Sequence, residues 1–315
     1  MSNRFPRVGI IGAGPLARMM IAPATALGVD LYLFANSSDD CAAQITHHRV
    51  GDLSNLEQVL TFAKECDLIT VESDEVPISL IKGLEKAGIR VYPPSSSLTH
   101  SRAQCSSDTA QLSQGASEID SEIAVMVARS PHGQAVSWTP SELLREDGVL
   151  ALTVTPARHI SSDIAAEAQR IALEIAQEIG LVGVMTVAIF VKGDELFIDK
   201  LVMRPDEAGN WTIEGSAIGQ FEQHLRAILD LPLGDPAMLH PYVVTGSVLG
   251  GEKTDMYRPY LHLMARTPQL HFHQYRNEVT AGVKTGHVSA CGNELAYLIE
   301  EVNHARRYMS GEIDE

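Results

Sequence analysis

The first 94 residues alternate between short apolar runs and amphipathic helical patterns, and this alternation limits the possible folds more than any other feature. Apolar runs typical of buried strands occupy residues 8–11, 31–35, 67–71 and 90–92. Apolar side chains recur at helical spacing in residues 16–27, 56–63 and 78–87. Strands and helices in this order predict a parallel sheet with crossover helices, and therefore an α/β domain over residues 1–94.

The composition changes after residue 94. Residues 95–121 are rich in Ser, Gln, Thr and Asp, which predicts a remnant of a helix followed by a polar linker. Strand and helix patterns return from Glu122 onwards, including a helix over residues 164–179 and a hairpin over residues 185–199. We therefore predict a second domain, of the α+β class, over residues 122–315, with a small subdomain at its C-terminal end.

The charge of the chain excludes several classes of partner. Its formal net charge is −16, whereas binding to nucleic acid or to an anionic membrane needs clustered Lys and Arg. No apolar run reaches the roughly 18–20 residues that span a bilayer. The four cysteines are scattered, without C-x-x-C spacing or the density of a disulfide framework. These features predict a cytoplasmic protein with reduced thiols, which binds neither nucleic acid nor membrane.

A glycine turn follows the first predicted strand. Gly12 and Gly14 stand between that strand and a helix, where backbone N–H groups and the helix dipole can hold a phosphate. A dinucleotide-binding enzyme also needs an acid at the end of the second strand, but residues 35–37 read Ala-Asn-Ser. A phosphate-facing or merely tight turn is therefore favoured, and a nicotinamide oxidoreductase remains an alternative.

Three further groups of polar residues are candidate sites. Glu72 belongs to an acidic loop after a strand, where α/β sheets bind ligands, although a solvated loop has the same composition. His271 and His273 share one face of a strand, and without a third ligand we interpret them as structural. Lys284 offers a cation beside a turn that we expect to be flexible.

Several segments together resemble the carboxyaminoimidazole ribonucleotide synthetase family, PurK, of the ATP-grasp superfamily. The most specific are the Arg204-Pro205 pair and residues 220–234, which begin Gln-Phe-Glu-Gln-His and end Leu-Pro-Leu-Gly. Lys284-Thr-Gly-His matches the C-terminal signature of the family. The remaining segments are residues 8–20, 66–77, 91–93, 127–130, 180–185 and 209–212. The resemblance covers both ends of the chain.

The resemblance implies an ATP-dependent carboxylate-amine ligase of purine biosynthesis. A Rossmann-like pre-ATP-grasp domain helps to bind aminoimidazole ribonucleotide, a central lid clamps ATP, and a C-terminal part carries magnesium ligands. Bicarbonate attacks the γ-phosphate of ATP, and the resulting carboxyphosphate carboxylates the ribonucleotide amine. Members of the family are typically homodimers.

The sequence departs from this pattern where the family binds ATP and magnesium. Only the polar linker stands where the lid is expected, so we predict a truncated, lid-deleted ATP-grasp domain. The two family metal positions hold Ala188 and Lys200 instead of carboxylates. Because side chains alternate across a strand, we expect Asp199 to point away from the metal face. We therefore predict no metal site, and we expect that ATP and magnesium binding are not retained.

The substrate positions are altered but recognisable. The family loop Arg-Pro-His-Asn-Ser-Gly-His here reads Arg-Pro-Asp-Glu-Ala-Gly-Asn over residues 204–210, and Pro15 replaces a Gln. Glu142 also matches a family position. The degraded substrate-binding set comprises Gly12, Gly14, Pro15, Leu16, Glu72, Arg204 and Lys284.

Three functions are compatible with this sequence. The first is a non-catalytic PurK-like protein, which binds a ribonucleotide-like metabolite or acts as a regulatory or dimerising partner, as a homodimer or with a family paralogue. The second is a divergent but active ATP-dependent synthase. The third is the NAD(P)-binding oxidoreductase.

Overall fold

The computed structural model describes residues 5–101, 119–251 and 253–314. Its N-terminal part is a five-stranded parallel sheet with the order β3-β2-β1-β4-β5. The strands are β1 (Arg7–Ile11), β2 (Asp30–Ala35), β3 (His48–Val50), β4 (Leu68–Val71) and β5 (Val91–Tyr92). The helices are α1 (Pro15–Leu27), α2 (Leu56–Ala63), α3 (Ile78–Lys86) and α4 (Ser95–Ser101). The strand order reverses at β1, so the loops after β1 and β4 open a crevice at the carboxyl edge of the sheet.

Helix α1 crosses the sheet without ending at its internal proline. Pro15 is its first residue, where no intrahelical N–H bond is lost, and Gly28 closes it with a φ of 70°. The sequence predicts a kink or an early end at Pro23, but the helix continues to Leu27. The packing of its buried face against the sheet outweighs the missing hydrogen bond.

The second part of the chain is built on a nine-stranded antiparallel sheet. Its strands are β6 (Ser121–Arg129), β7 (Ala135–Ser137), β8 (Ser141–Glu146), β9 (Val149–Thr155), β10 (Gly183–Lys192), β11 (Glu195–Val202), β12 (Tyr242–Leu249), β13 (His271–Gln274) and β14 (Lys284–Gly292). They follow the order β11-β10-β6-β8-β9-β12-β14-β13, with β7 paired to β6. Its helices are α5 (Ser162–Glu178), α6 (Thr212–Gly215), α7 (Gln220–Ile228), α8 (Pro259–Arg266) and α9 (Leu295–Ser310).

Helix α5 covers one face of this sheet. Ala168, Ala172 and Ala176 recur every fourth residue and are fully buried, so the helix lies close against β6 and β10. On β10 and β11, every second side chain packs in the cluster under α5. The side chains between them face the opposite side of the sheet. That opposite side contains Ala188 and Lys200, the two positions for which the resemblance implies metal ligands.

Helix α7 joins the two parts of the molecule. Phe221, Leu225 and Ile228 share one buried cluster with Ala17 and Met20 of α1. The side chain of His224, on the same helix, is completely buried between the two sheets. Its Nε2 lies 2.9 Å from the Thr70 hydroxyl of β4, and its Nδ1 accepts a hydrogen bond of 3.2 Å from the N–H of Val184 in β10.

The α/β class and the two-sheet architecture confirm the sequence-based prediction, but individual elements differ. Lys284, expected beside a flexible turn, is the first residue of β14. Strands β3, β7, β8 and β12 and helix α8 are not predicted from the sequence. Most of the predicted linker, residues 102–118, lies outside the described residues, so the proposed boundaries at residues 94 and 122 stay predictions. None of the described helices is long and apolar enough to cross a bilayer.

Candidate functional site

A cavity of about 470 Å³ opens at the carboxyl edge of the parallel sheet. The turn after β1 and the loop after β4 form one wall, and the Arg204 loop after β11 forms another. Six of the seven predicted substrate-binding residues line it: Gly12, Gly14, Pro15, Leu16, Glu72 and Arg204. The seventh, Lys284, reaches the cavity through an ion pair with the lining residue Glu207.

The glycine turn already holds a carboxylate of the protein itself. Glu72 accepts hydrogen bonds from the backbone N–H groups of Gly14, at 3.0 Å, and Leu16, at 3.3 Å. A Cβ atom at Gly14 would lie 2.3 Å from Glu72 Oε1, so only glycine permits this approach. Burial raises the pKa of Glu72, although these hydrogen bonds and the charge of Arg204 lower it. The N–H groups that could bind a phosphate are therefore used within the protein.

Both cations of the predicted set are also paired within the protein. Arg204 donates to Asp74 at 2.7 Å and lies 3.8 Å from Asp206. Its Nε atom is buried and has no hydrogen-bond partner among the described residues. Lys284 is paired with Glu207. Among the described residues that line the cavity, Arg204 Nε is the one buried donor without a partner, and both cations of the predicted set have an acid beside them.

The two family metal positions are direct neighbours on β10 and β11. Ala188 and Lys200 are paired across the two strands, so their side chains share one face of the sheet. Ala188 is buried, and Lys200 is exposed. A methyl group and an ammonium group therefore occupy the places from which carboxylates would have to reach a divalent cation.

Asp199 does not follow the strict alternation expected from the sequence. The pairing of β10 with β11 shifts at this point, because Ala188 faces Lys200 whereas Ile189 faces Ile198. Asp199 is the extra residue of this bulge, and it shares the position opposite Ala188 with Lys200. The expectation that it points away from the metal face is therefore not met.

The acids near this bulge already face a cation. Arg145 Nε and one terminal nitrogen each donate to Glu122 at 2.7 Å. Burial raises the pKa of Asp199, and the charge of Glu122 adds to this effect, while Lys200 and Arg145 oppose it. A magnesium ion would have to displace a guanidinium and settle beside an ammonium, so the residues present do not fit magnesium.

Other predicted residues lie outside the cavity wall. Glu142 of β8 is buried and accepts two hydrogen bonds from Arg158, at 2.7 and 2.8 Å. His273 pairs with Glu214 at 2.6 Å and stacks on the ring of His287, whereas His271 is exposed. These contacts agree with a structural role for His273, whereas the exposed His271 shows no such contact among the described residues.

The structure adds a residue that the sequence-based reasoning missed. Asp40 lines the cavity from the loop after β2, and its carboxylate accepts N–H bonds from Asn36 and Ser37. A usable signal existed, because β2 is adjacent to β1 and its carboxyl end reaches the same edge of the sheet. The acid lies in the loop beyond Ala35, and not directly at the strand end.

A parallel sheet followed by a large antiparallel sheet, with a cavity between them, is the architecture of an ATP-grasp protein. Residues 5–102 match the family described as ribonucleotide synthetase preATP-grasp domain, and residues 96–221 match the ATP-grasp domain. N5-carboxyaminoimidazole ribonucleotide synthase of Mycobacterium tuberculosis is 30% identical over 97% of this chain and 88% of its own length. The chain belongs to the N5-carboxyaminoimidazole ribonucleotide synthase family, which acts in purine biosynthesis.

Further relatives and solved structures agree with this assignment. The Corynebacterium ammoniagenes synthase is 28% identical over 92% of this chain and 88% of its own. The Thermus thermophilus synthetase structure has a TM-score of 0.85 at 24% identity and covers 98% of this chain and 99% of its own. An Aspergillus clavatus synthase structure has a TM-score of 0.83 at 22% identity, with 98% and 100% of the two chains covered. These two structures establish the shared fold.

Proposed function

We propose that this chain is a family member without ligase activity, which binds a ribonucleotide-like small molecule in the cavity of the parallel sheet. The observation that carries the proposal is the direct pairing of Ala188 with Lys200 at the two family metal positions. Magnesium normally bridges the phosphates of ATP and neutralises the charge that develops during phosphoryl transfer. The chain offers no carboxylate at either position for this role.

The energetic cost supports the proposal. At about 4 Å and an effective dielectric near 20, two like unit charges repel by roughly 4 kcal/mol, and a divalent ion beside Lys200 is repelled more strongly. Arg145 adds a second cation on the same face, through its coupling to Glu122 and Asp199. Glu122 and Asp199 together only balance these two cations, so the face has no surplus negative charge for a divalent ion.

The length of the alignment supports the predicted loss of the lid. The alignment with the Mycobacterium tuberculosis relative extends over 377 positions, more than the 315 residues of this chain. Part of the relative therefore lies opposite gaps, and we propose that the lid is the missing part, at residues 95–121. Without a lid, ATP loses most of its enclosing contacts and water reaches a hydrolysable intermediate.

The ligand and the partner follow from the family. The Aspergillus clavatus structure is a complex with ADP and 5-aminoimidazole ribonucleotide, and we extend only a ribonucleotide-like ligand to this chain. We propose that it works in the cytoplasm, as a homodimer or together with a family paralogue. The three cysteines in the described part of the chain, Cys41, Cys66 and Cys291, are free thiols, as expected in a reducing compartment.

The proposal is tested by turnover and binding measurements. With Mg-ATP, bicarbonate and 5-aminoimidazole ribonucleotide, we expect no ADP release above the blank. Calorimetry with millimolar Mg-ATP is expected to give no binding heat. Release of ADP and phosphate that depends on both the ribonucleotide and bicarbonate would contradict the loss of activity, and it would favour the divergent active synthase instead.

A further inference from the structure

A second cavity, of about 260 Å³, lies between α1 and the segment that leads into α7. It shares no lining residue with the cavity at the carboxyl edge of the parallel sheet. Both parts of the molecule contribute to its wall, because α1 belongs to the parallel-sheet part whereas α6, α7 and β13 belong to the other. Most of the wall is apolar, and its apolar residues are Met19, Ala22, Pro23, Ile213 and Phe221. A wall of this kind suits the apolar body of a small ligand.

Three charged or titratable side chains stand in this apolar wall. Two of them have partners within the protein. Glu222 accepts hydrogen bonds from Arg226 at 2.5 and 2.9 Å, and His273 pairs with Glu214 at 2.6 Å. The third is Arg18, which forms no ion pair with any acid in the described part of the chain. The wall therefore carries one positive charge that the described residues leave unbalanced.

Arg18 keeps one edge of its guanidinium available to a ligand. Its hydrogen bond within the described residues runs from Nη1 to the carbonyl oxygen of Cys41, at 2.5 Å. Nε and Nη2 lie side by side on another edge of the planar group, and together they match the two oxygens of a carboxylate. Burial lowers the pKa of Arg18, and the charge of Arg276 acts in the same direction, so an anion beside Arg18 would stabilise its charged form.

We propose that this cavity binds a small monocarboxylate with an apolar body, whose carboxylate pairs with Arg18 while the apolar side chains of the wall enclose the body. Pockets for drug-sized ligands measure roughly 300–1,000 Å³, and the smaller volume here suits a body of about one aromatic ring. A phosphate dianion is less suitable, because Glu222 stands in the same wall and repels the second charge. The site is additional to the proposed function, since it lies in a different cavity.

The test is a ligand-observed NMR titration at pH 7 that compares 3-phenylpropionate with 3-phenylpropanamide, the neutral amide of nearly the same shape. The unaltered protein is expected to bind the carboxylate about fivefold more tightly than the amide, or better, because a charged partner strengthens the hydrogen bonds of Arg18. Arg18→Gln is expected to bind the two compounds equally. Arg170→Gln, on the exposed surface of α5, is the matched control and is expected to keep the preference.

A second pair of variants tests the position of the site and leaves Arg18 in place. Ala22 is exposed at the cavity wall, so Ala22→Phe is expected to fill the space and to weaken the binding of both compounds about tenfold, with an unchanged circular dichroism spectrum. Ala26→Phe, one turn further along α1 and outside the wall, is the control. It is expected to bind both compounds as the unaltered protein does.

Three results would overturn the proposal. Equal affinity of the unaltered protein for the carboxylate and the amide contradicts the role of Arg18. Binding that Ala22→Phe leaves unchanged places the ligand outside this cavity. Binding of neither compound at millimolar concentration contradicts the site as a whole. Because the two cavities share no lining residue, each of these results leaves the proposed function unaffected.

Discussion

At the scale of single residues, the buried imidazole of His224 makes the stability of the protein sensitive to acid. It is fully buried between the two sheets, and both ring nitrogens have hydrogen-bond partners within the protein. Burial lowers the pKa of His224 to about 3, because no acid compensates the charged form. The unfolded chain protonates the same imidazole near its ordinary pKa of about 6.5.

The sign of the resulting pH dependence follows from proton counting. Between pH 6.5 and pH 3 the unfolded state binds one more proton at this site than the folded state, so stability falls as the pH falls. The expected loss is about 1.4 kcal/mol for each pH unit below 6.5. Urea unfolding at several values from pH 7.5 to pH 5 measures it.

Variants separate His224 from other titrating groups. His224→Gln is expected to reduce the acid slope by about one proton, even if it lowers stability at pH 7. His271→Gln, at an exposed position on β13, is the control and is expected to keep the slope of the unaltered protein. The same slope in all three proteins would show that burial of His224 does not govern acid stability.

At the scale of secondary-structure elements, the bulge between β10 and β11 determines which charged side chains stand together on the Ala188 face of the sheet. It places Asp199 and Lys200 together opposite Ala188, with Glu122 and Arg145 nearby. An acid at position 200 would therefore join Asp199 on one face instead of alternating with it.

A charge reversal at this bulge is expected to create weak binding of a divalent cation. Lys200→Glu is expected to bind Mn²⁺ at least tenfold more tightly than Lys200→Gln, the matched variant that removes the ammonium without adding an acid. Paramagnetic broadening or calorimetry with Mn²⁺ alone measures the difference. If the two variants bind Mn²⁺ equally, an acid at position 200 does not act together with Asp199 on this face.

Elements whose sequence pattern lies within one segment could be predicted, whereas features that depend on a second, distant segment could not. The alternation of apolar runs and amphipathic helices predicts the parallel sheet, and strand ends such as that before Glu72 predict the edge at which the cavity opens. The bulge at Asp199 could not be predicted, because register depends on the partner strand. The occupation of the glycine turn by Glu72 could not be predicted either, since it requires the positions of two separate loops.

At the scale of the whole molecule, the two sheets share a hydrophobic core through α1 and α7. Leu225 and Phe221 belong to the same buried cluster as Met20 of the parallel-sheet part. A shared core of this kind favours a single cooperative unfolding transition over independent unfolding of two parts.

A packing defect introduced by substitution in the parallel-sheet part is therefore expected to lower the unfolding midpoint that is measured in the antiparallel-sheet part. Leu84→Ala removes a fully buried side chain in the parallel-sheet part, at an expected cost of about 2–5 kcal/mol. Trp138 and Trp211 both lie in the antiparallel-sheet part, and their fluorescence midpoint in urea is expected to shift as far as the far-UV circular dichroism midpoint.

The interface itself provides the comparison for this experiment. The side chain of Leu225 is also fully buried, and Leu225→Ala is expected to lower the fluorescence midpoint and the circular dichroism midpoint together. If Leu84→Ala shifts the circular dichroism signal and leaves the tryptophan signal unchanged, the two parts unfold separately and the shared cluster does not couple them.

The hydrogen bonds of His224 also fix where its one proton lies. Because Nδ1 accepts the N–H of Val184, the proton must be on Nε2, which then donates to the Thr70 oxygen. Only this tautomer fits while the two sheets are in contact. Nitrogen chemical shifts of this ring, measured on 15N-labelled protein, would therefore distinguish the assembled molecule from one whose halves have separated, without any ligand in the cavity.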